Sequence, residues 1–441
     1  MYRTDSRKVK KNDIFIALRG ISKDGHDYIP KAIENKASKI ICEYGNYSIP
    51  YVTVKDTRKY MEDLLKEEYK EKMKNLKIIG VTGTNGKSTI AYFLYQLLNK
   101  SNHKAAYVGT VGFYLDGFVE DTENTTPDLC DLYEYIDIAC NKNVEYLILE
   151  VSSQGLAYGR VNKIDFDCAI FTNLTLDHLD FHKTMENYAL AKQKLFKQSK
   201  CGIINVDDEY SNYFLLDDKI NITYGFNSND YKLQSFNEQV LKYNDNNILT
   251  NLKTLYNAYN LLAVIACLDY FKIDNYKDNI KDLELPDGRY QEIEYKNGLI
   301  IIDYAHTPDA IEKLIKSFKN KKIVTIFGCT GDRLKDKRPI MGNLATELSY
   351  KVIITKDNIN SENIDDINND IIKGIEKDNY EVINDRALAI KKGISYITKD
   401  TVLLILGKGH EKYMEENHIK FHFNDYEEVM KVIGEEDAST C

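Results

Sequence analysis

The 441-residue chain has no tryptophan, and its eight cysteines form no C-x-x-C pair. They stand at 42, 130, 140, 168, 201, 267, 329 and 441, at intervals that fit no metal-ligand template. They read instead as reduced, mostly buried thiols. No apolar stretch approaches the roughly 18–20 residues of a membrane span, and the opening MYRTDSRKVKK lacks the apolar core of a secretion signal. A basic excess is missing too. With 59 Lys+Arg against 68 Asp+Glu, the net charge of −9 argues against general nucleic-acid affinity. The expectation is a soluble, cytoplasmic protein with neither nucleic acid nor membrane as partner. The 33 tyrosines read as compositional bias rather than chemistry.

A chain this long exceeds one ordinary core, so two or three domains are expected. Residues 1–75 hold short apolar runs at 13–18 and 38–44 around a helix-like 28–37, which suits a small α/β domain. The charged segment 61–75 reads as a helix leading onward. Strand-like runs then recur at 76–83, 105–113, 145–153, 167–174 and 201–208, with helical patterns between most of them. That alternation predicts a mainly parallel sheet covered by helices. A polar excursion at 226–247 precedes a long apolar helix at 252–271. A new α/β series follows, with strands at 299–306, 322–328, 351–358 and 401–409. The predicted domains are 1–75, 76–286 and 287–441: a central P-loop, parallel-sheet α/β domain between a small N-terminal α/β domain and a C-terminal Rossmann-like one.

The sharpest local signal is GVTGTNGKST at 80–89, after a buried strand and before a helix. Gly83 and Gly86 let the backbone fold tightly, so that its N–H groups point at phosphate oxygens, and the helix N-terminus adds a favourable dipole. Lys87 supplies a point charge for the terminal phosphates and Ser88 a hydroxyl for Mg²⁺. Thr84, Asn85 and Thr89 complete the ATP-binding run. Val81 stands where the strict P-loop pattern wants glycine, which makes this a T-G-T-N-G-K-[ST] variant.

A P-loop alone defines no reaction. Further blocks occur in order: TENTTPD (122–128), EVSSQGL (150–156), TNLTLDHLDFH (172–182), YALAKQKLF (188–196), DGRYQEI (287–293), DYAHTPDA (303–310), FGCTGDRLKDKRP (327–339) and GKGHE (407–411). Together they resemble the Mur ligases. Within that family they are most similar to the enzymes adding the third amino acid to UDP-N-acetylmuramoyl-L-alanyl-D-glutamate. The opening 4–29 resembles the nucleotide-sugar-binding domain, but its Asp-Ser-Arg stands so near the start that the first strand is expected to be missing.

The resemblance implies an acyl phosphate made from ATP and the acceptor carboxylate, then displacement of phosphate by the amine of a free diamino acid. It implies two Mg²⁺ ions. Glu150 and Ser88 would hold one. His178 and Lys192, the latter as a carbamate, would hold the other. In isolation Lys192 reads as a surface lysine on an amphipathic helix. Asn257, Asn260, Arg289, Asp303, Tyr304 and His306 are expected by the nucleotide. Ser6, Thr125, Thr126, Ser152 and Arg160 are expected by the UDP-muramoyl peptide. Gln154 has no assigned role. A monomer is expected, with domain closure completing the site.

For the incoming amino acid the implied contacts are Asp357, Asn358, Asn360, Gly407 and Glu411. Enzymes of the family that add diaminopimelate carry Asp-Asn-Pro-Arg where this chain has DNIN at 357–360. Neutral Asn360 cannot grip a distal carboxylate as arginine does, and Ile359 frees the loop, so L-lysine or L-ornithine is expected. Alternatively Asn360 caps the next helix and Lys408 or Arg386 binds that carboxylate. A paralogue acting on another γ-glutamyl or specialised-metabolite acceptor, and a P-loop switch without ligase activity, remain the competing readings.

Overall fold

A computed structural model describes residues 1–20 and 23–440. Cys441 and the Ile21–Ser22 step of the opening motif lie outside the described residues. The α/β class expected from the alternating pattern is what folds, as three larger sheets with helices packed on them and one two-stranded sheet among the described residues.

The N-terminal sheet is parallel, with strands Tyr2–Arg3, Ile14–Ile16, Lys39–Cys42 and Tyr51–Thr53 in chain order. Tyr2–Arg3 pairs with Ile14 and Phe15, so the first strand is present though short, contrary to expectation. Arg3 makes it possible: the guanidinium donates to Asp13 and, across the domain boundary, to both oxygens of Glu134. The predicted helix at 61–75 runs instead from Thr57 to Tyr69, started by Asp56 accepting from the Lys59 N–H.

The central sheet has eleven strands. Its parallel core runs in the order Ala105–Gly109, Tyr146–Glu150, Lys77–Thr82, Phe166–Phe171, Ser199–Asn205, Ile220–Gly225 and Tyr231–Asn237. Antiparallel strands extend both edges. One set belongs to the polar excursion, at Val240–Tyr243 and Asn246–Leu249. At the other edge the expected single strand 105–113 is a hairpin, because the chain reverses between Gly109 and Gly112. Two apolar clusters cover the two faces of the sheet. One includes helices Lys87–Lys100 and Leu255–Tyr270, whose residues 261–268 are all fully buried.

The C-terminal sheet has the order Gln291–Tyr295, Gly298–Asp303, Thr401–Leu406, Lys322–Phe327, Lys351–Ile354, Tyr380–Val382. The first pair is antiparallel and the rest parallel. A separate hairpin, Tyr413–Glu416 with Ile419–His422, follows. In both large sheets the motif residues sit at or just beyond the carboxyl ends of parallel strands, where α/β sheets open their ligand crevices.

Candidate active site

The loop after Lys77–Thr82 turns into the helix beginning at Lys87 through Gly86, whose φ of 87° excludes most side chains. A Cβ there would also lie 2.6 Å from Asn260 Oδ1. The Lys87 ammonium donates to the carbonyls of Gly83 (3.0 Å) and Thr84 (2.8 Å), so the loop satisfies its own cation. Burial and the Arg289 charge lower the Lys87 pKa, opposed by Glu150 and Asp177. Phosphate at this loop would therefore offer the lysine a stronger partner than neutral carbonyls.

Glu150 ends its strand fully buried. Ser88 Oγ donates to its Oε2 at 3.0 Å, and Thr110 donates through N–H (2.9 Å) and Oγ1 (3.1 Å). The Tyr107 hydroxyl donates to Oε1. A carboxylate held by four donors stays oriented, and the Ser88–Glu150 oxygen pair is a donor set suited to a hard divalent cation. Arg289 reaches the same place from the C-terminal domain, with Nη2 3.3 Å from Ser88 Oγ and the guanidinium over the Tyr304 ring.

Lys192 is buried, not on the surface, and its ammonium donates to the Gly83 carbonyl at 2.8 Å. Burial, reinforced by the Lys87 charge, pushes its pKa well below the ordinary lysine value. An amine so shifted spends more time neutral and nucleophilic. Its neighbour is the Tyr188 ring, 4.7 Å away, and that ring also contacts His178 at 6.0 Å. His178 adopts a left-handed backbone (φ 54°), and its imidazole is pushed down to about 3, chiefly by burial. Burial thus disfavours the charged form of both His178 and Lys192 beside the phosphate loop.

Asp177 joins this cluster to the C-terminal domain. Lys337 donates to its Oδ1 at 3.0 Å, while His178 and His306 bring Nε2 to 3.5 and 3.7 Å from Oδ2. His306 is oriented by the Tyr304 carbonyl, 2.7 Å from Nδ1. A cavity of about 1080 Å³ opens between the two domains, lined by Asn85, Thr89, Asn257, Asn260, Arg289 and Asp303. A second, of about 690 Å³, lies between the N-terminal and central domains and is lined by Thr4, Arg19, Arg58, Tyr158 and Arg160 among others.

At the same carboxyl edge of the C-terminal sheet, beside Tyr304, Asp357, Asn358 and Glu411 converge. Asn358 Nδ2 donates to Glu411 Oε2 at 2.8 Å; the buried Lys408 ammonium lies 2.9 Å from that oxygen and 3.1 Å from Asn358 Oδ1. Gly407 (φ 110°) packs against Asp357, where a Cβ would fall 2.4 Å from Oδ2. The Asn360 amide donates to the Gly331 carbonyl at 2.7 Å.

Comparison with known proteins decides what this geometry belongs to. Residues 81–268 match the Mur ligase middle domain, 288–409 the Mur ligase glutamate ligase domain, and 1–80 the Mur ligase family catalytic domain. The chain belongs to the Mur ligase family. Relatives include the UDP-N-acetylmuramoyl-L-alanyl-D-glutamate–2,6-diaminopimelate ligase 1 of Clostridium acetobutylicum, 39% identical over 98% of this chain and 94% of that one. The similarly named ligase of Fusobacterium nucleatum is 39% identical over 96% and 91%. A solved structure of a ligase of that name superposes with a TM-score of 0.66 at 31% identity, covering 99% of this chain and 95% of the other. The MurF ligase of Thermotoga maritima with ADP shares the fold, at a TM-score of 0.71 and 19% identity, over 100% and 98%. As a Mur ligase the chain is an ATP-dependent, ADP-forming peptide ligase.

Most residues singled out in the sequence come together in this Mur ligase. Lys87, Ser88, Glu150, His178, Lys192 and Arg289 surround one loop. Asn257 and Asn260 are buried and bonded to each other, not solvent-facing. Asp303 is less free than expected, because it accepts from the Tyr290 and Ala305 N–H groups. Thr125 faces Thr110, but the Thr126 hydroxyl is spent inside the fold on Glu150 O and Ser152 N–H. Ser152 caps the helix Ser153–Ala157, which carries Gln154. Ser6 is buried, and Thr4 rather than Ser6 lines the N-terminal cavity. Asn360 does not cap the next helix; Asn363 does. Arg386 is no substrate cation, since Asp425 and two carbonyls consume its guanidinium. Sequence reasoning missed Tyr107, Thr110, Tyr188, Asp177 and Lys337. Of these, Asp177, Tyr188 and Lys337 stood inside quoted motif blocks.

Proposed function

We propose that this ligase adds a diamino acid to UDP-N-acetylmuramoyl-L-alanyl-D-glutamate, a step of peptidoglycan precursor synthesis. The observation that carries the reading is the agreement of full-length relatives, 36–39% identical, on that acceptor in their names. The phosphate loop, facing a cleft closed by a second domain, supports it.

In the first step an acceptor carboxylate oxygen attacks the γ-phosphorus of ATP, and the bond to the β-phosphate oxygen breaks to release ADP. In the second the amino nitrogen attacks the acyl carbon, the acyl–oxygen bond to phosphate breaks, and the amine loses a proton. Both steps gather anions, so charge compensation dominates the barrier. Lys87 and the N–H groups of residues 83–89 would receive the phosphates, with Arg289 approaching from the other domain. Asn257, Asn260, Asp303 and His306 would line the nucleotide cleft. Thr125, Ser152 and Arg160 would hold the acceptor peptide, and the N-terminal cavity with its arginines would take the nucleotide sugar. Ser88 and Glu150 fit one Mg²⁺, and His178 with a carbamylated Lys192 fits a second; the ions would supply charge neutralisation at the transferring phosphoryl group. Closure keeps water from the acyl phosphate.

The identity of the diamino acid has two readings, each with its own support. The local chemistry favours L-lysine. Asp357 offers a carboxylate to an ammonium, Asn360 is neutral and committed to Gly331, and the nearby Arg338, Arg386 and Lys408 are paired with acids, Lys408 with Glu411 itself. The relatives' names favour 2,6-diaminopimelate. Mass spectrometry of the product formed from ATP, Mg²⁺, the muramoyl dipeptide and a diamino acid tests the common reading. Tripeptide formation supports it, and ATP hydrolysis without any peptide product overturns it.

A further inference from the structure

Several contacts dock the C-terminal domain on the central one near the phosphate loop, and three of them differ in what they touch. Asn85 Nδ2 donates to Asp309 Oδ2 at 3.1 Å, Arg289 lies 3.3 Å from Ser88, and Lys337 pairs with Asp177. The first two touch the phosphate loop itself. The third touches the loop that carries His178, and it differs in kind. Both of its side chains are under 10% exposed, and they come from positions 160 residues apart. Two charges held out of water are costly unless each meets a partner, so this pair exists only while the domains are docked. Undocked, both groups would be hydrated separately.

We propose that Lys337 is a positioning residue: its ion pair with Asp177 converts domain closure into the correct placement of His178. The geometry supports such a relay. Asp177 Oδ1 is taken by Lys337, which leaves Oδ2 to face the imidazole of His178 and that of His306. His178 holds a backbone conformation (φ 54°) that a β-carbon resists, so its loop needs outside support. Lys337 opens the helix Lys337–Leu348, whose packing in the C-terminal core fixes where its side chain can reach. Lys337 touches no reacting atom in this arrangement. It acts through Asp177, and the phosphate-loop contacts of Asn85 and Arg289 persist without it. The inference rests on the reading of His178 as a metal ligand.

The test compares the full-length enzyme with Lys337→Met, which keeps the stem and removes the charge, and Lys337→Arg, which keeps the charge. Steady-state rates are read beside Mn²⁺ binding to the enzyme–ADP complex by electron paramagnetic resonance. Lys337→Met is expected to lower kcat by about 30-fold or more while KM for ATP moves less than about 3-fold, as for an interaction made only in the assembled site. Its weaker Mn²⁺ site should lose affinity, and Lys337→Arg should recover part of both. Unchanged kcat and Mn²⁺ binding in a folded Met variant would overturn the proposal, as would a rise in KM for ATP with kcat intact. If the Met variant does not fold, Lys337→Gln, which also removes the charge, is read by the same criteria. A wild-type enzyme without acceptor-dependent ADP release would sink the ligase reading instead, a separate outcome.

Discussion

Arg386 and Asp425 form a fully buried, two-pronged ion pair, with Nε and Nη2 each 2.7 Å from a carboxylate oxygen. The same guanidinium donates to the carbonyls of Leu406 (2.9 Å) and Lys356 (3.2 Å), the residues just before Gly407 and Asp357. One side chain thus fixes the spacing of the two loops assigned to the incoming amino acid. Arg386→Met strands Asp425 and is expected to cost about 3–5 kcal/mol of stability, the range for breaking a buried pair. The double variant with Asp425→Leu should cost less than Arg386→Met alone, because no unpaired charge remains. Urea unfolding of the variants reads this out, and additive losses would contradict the pairing.

Stability should also depend on His410, whose imidazole burial pushes down to about 3, helped by the charges of Arg289, Lys408 and Lys412. The folded value lies below the ordinary 6.5, so folding favours the neutral ring. Its contribution is therefore intact above about pH 6.5 and falls as the pH drops toward 3, by roughly 2 kcal/mol at pH 5. Wild type should lose more stability between pH 7.5 and 5 than His410→Gln does. Equal pH slopes would show that the ring titrates normally.

Lys192→Ala is expected to lower ligation by several orders of magnitude, with partial recovery on adding short carboxylic acids that can occupy the carbamate's place. Intact-protein mass measured without acid quench should show an added CO₂ on wild type and none on the variant. An active, unmodified Lys192 or an active alanine variant would remove carbamylation from the mechanism.

The alternation of apolar runs made the two large sheets legible, because buried parallel strands are continuous in apolar residues. The hairpin after Ala105–Gly109 was not legible, since only Thr110 interrupts the apolar and glycine residues of 105–113, and neither was the short Tyr2–Arg3 strand, held by distant Glu134. At the site, Lys87 and Ser88 declared themselves through local loop chemistry, whereas Glu150 and Lys192 gained meaning only from the family's motifs. The partners that orient them were not readable. Tyr107 reaches Glu150 across 43 residues and Lys337 reaches Asp177 across 160, and no local pattern encodes such contacts.

The account turns most directly on ADP release measured with UDP-N-acetylmuramoyl-L-alanyl-D-glutamate and, separately, L-lysine, L-ornithine and meso-diaminopimelate. ADP release that needs both the dipeptide and a diamino acid is the expected result, with L-lysine preferred and Asn360→Arg moving preference toward meso-diaminopimelate. A clear wild-type preference for meso-diaminopimelate would contradict the reading of Asn360, and ADP release indifferent to the dipeptide would contradict the ligase assignment itself.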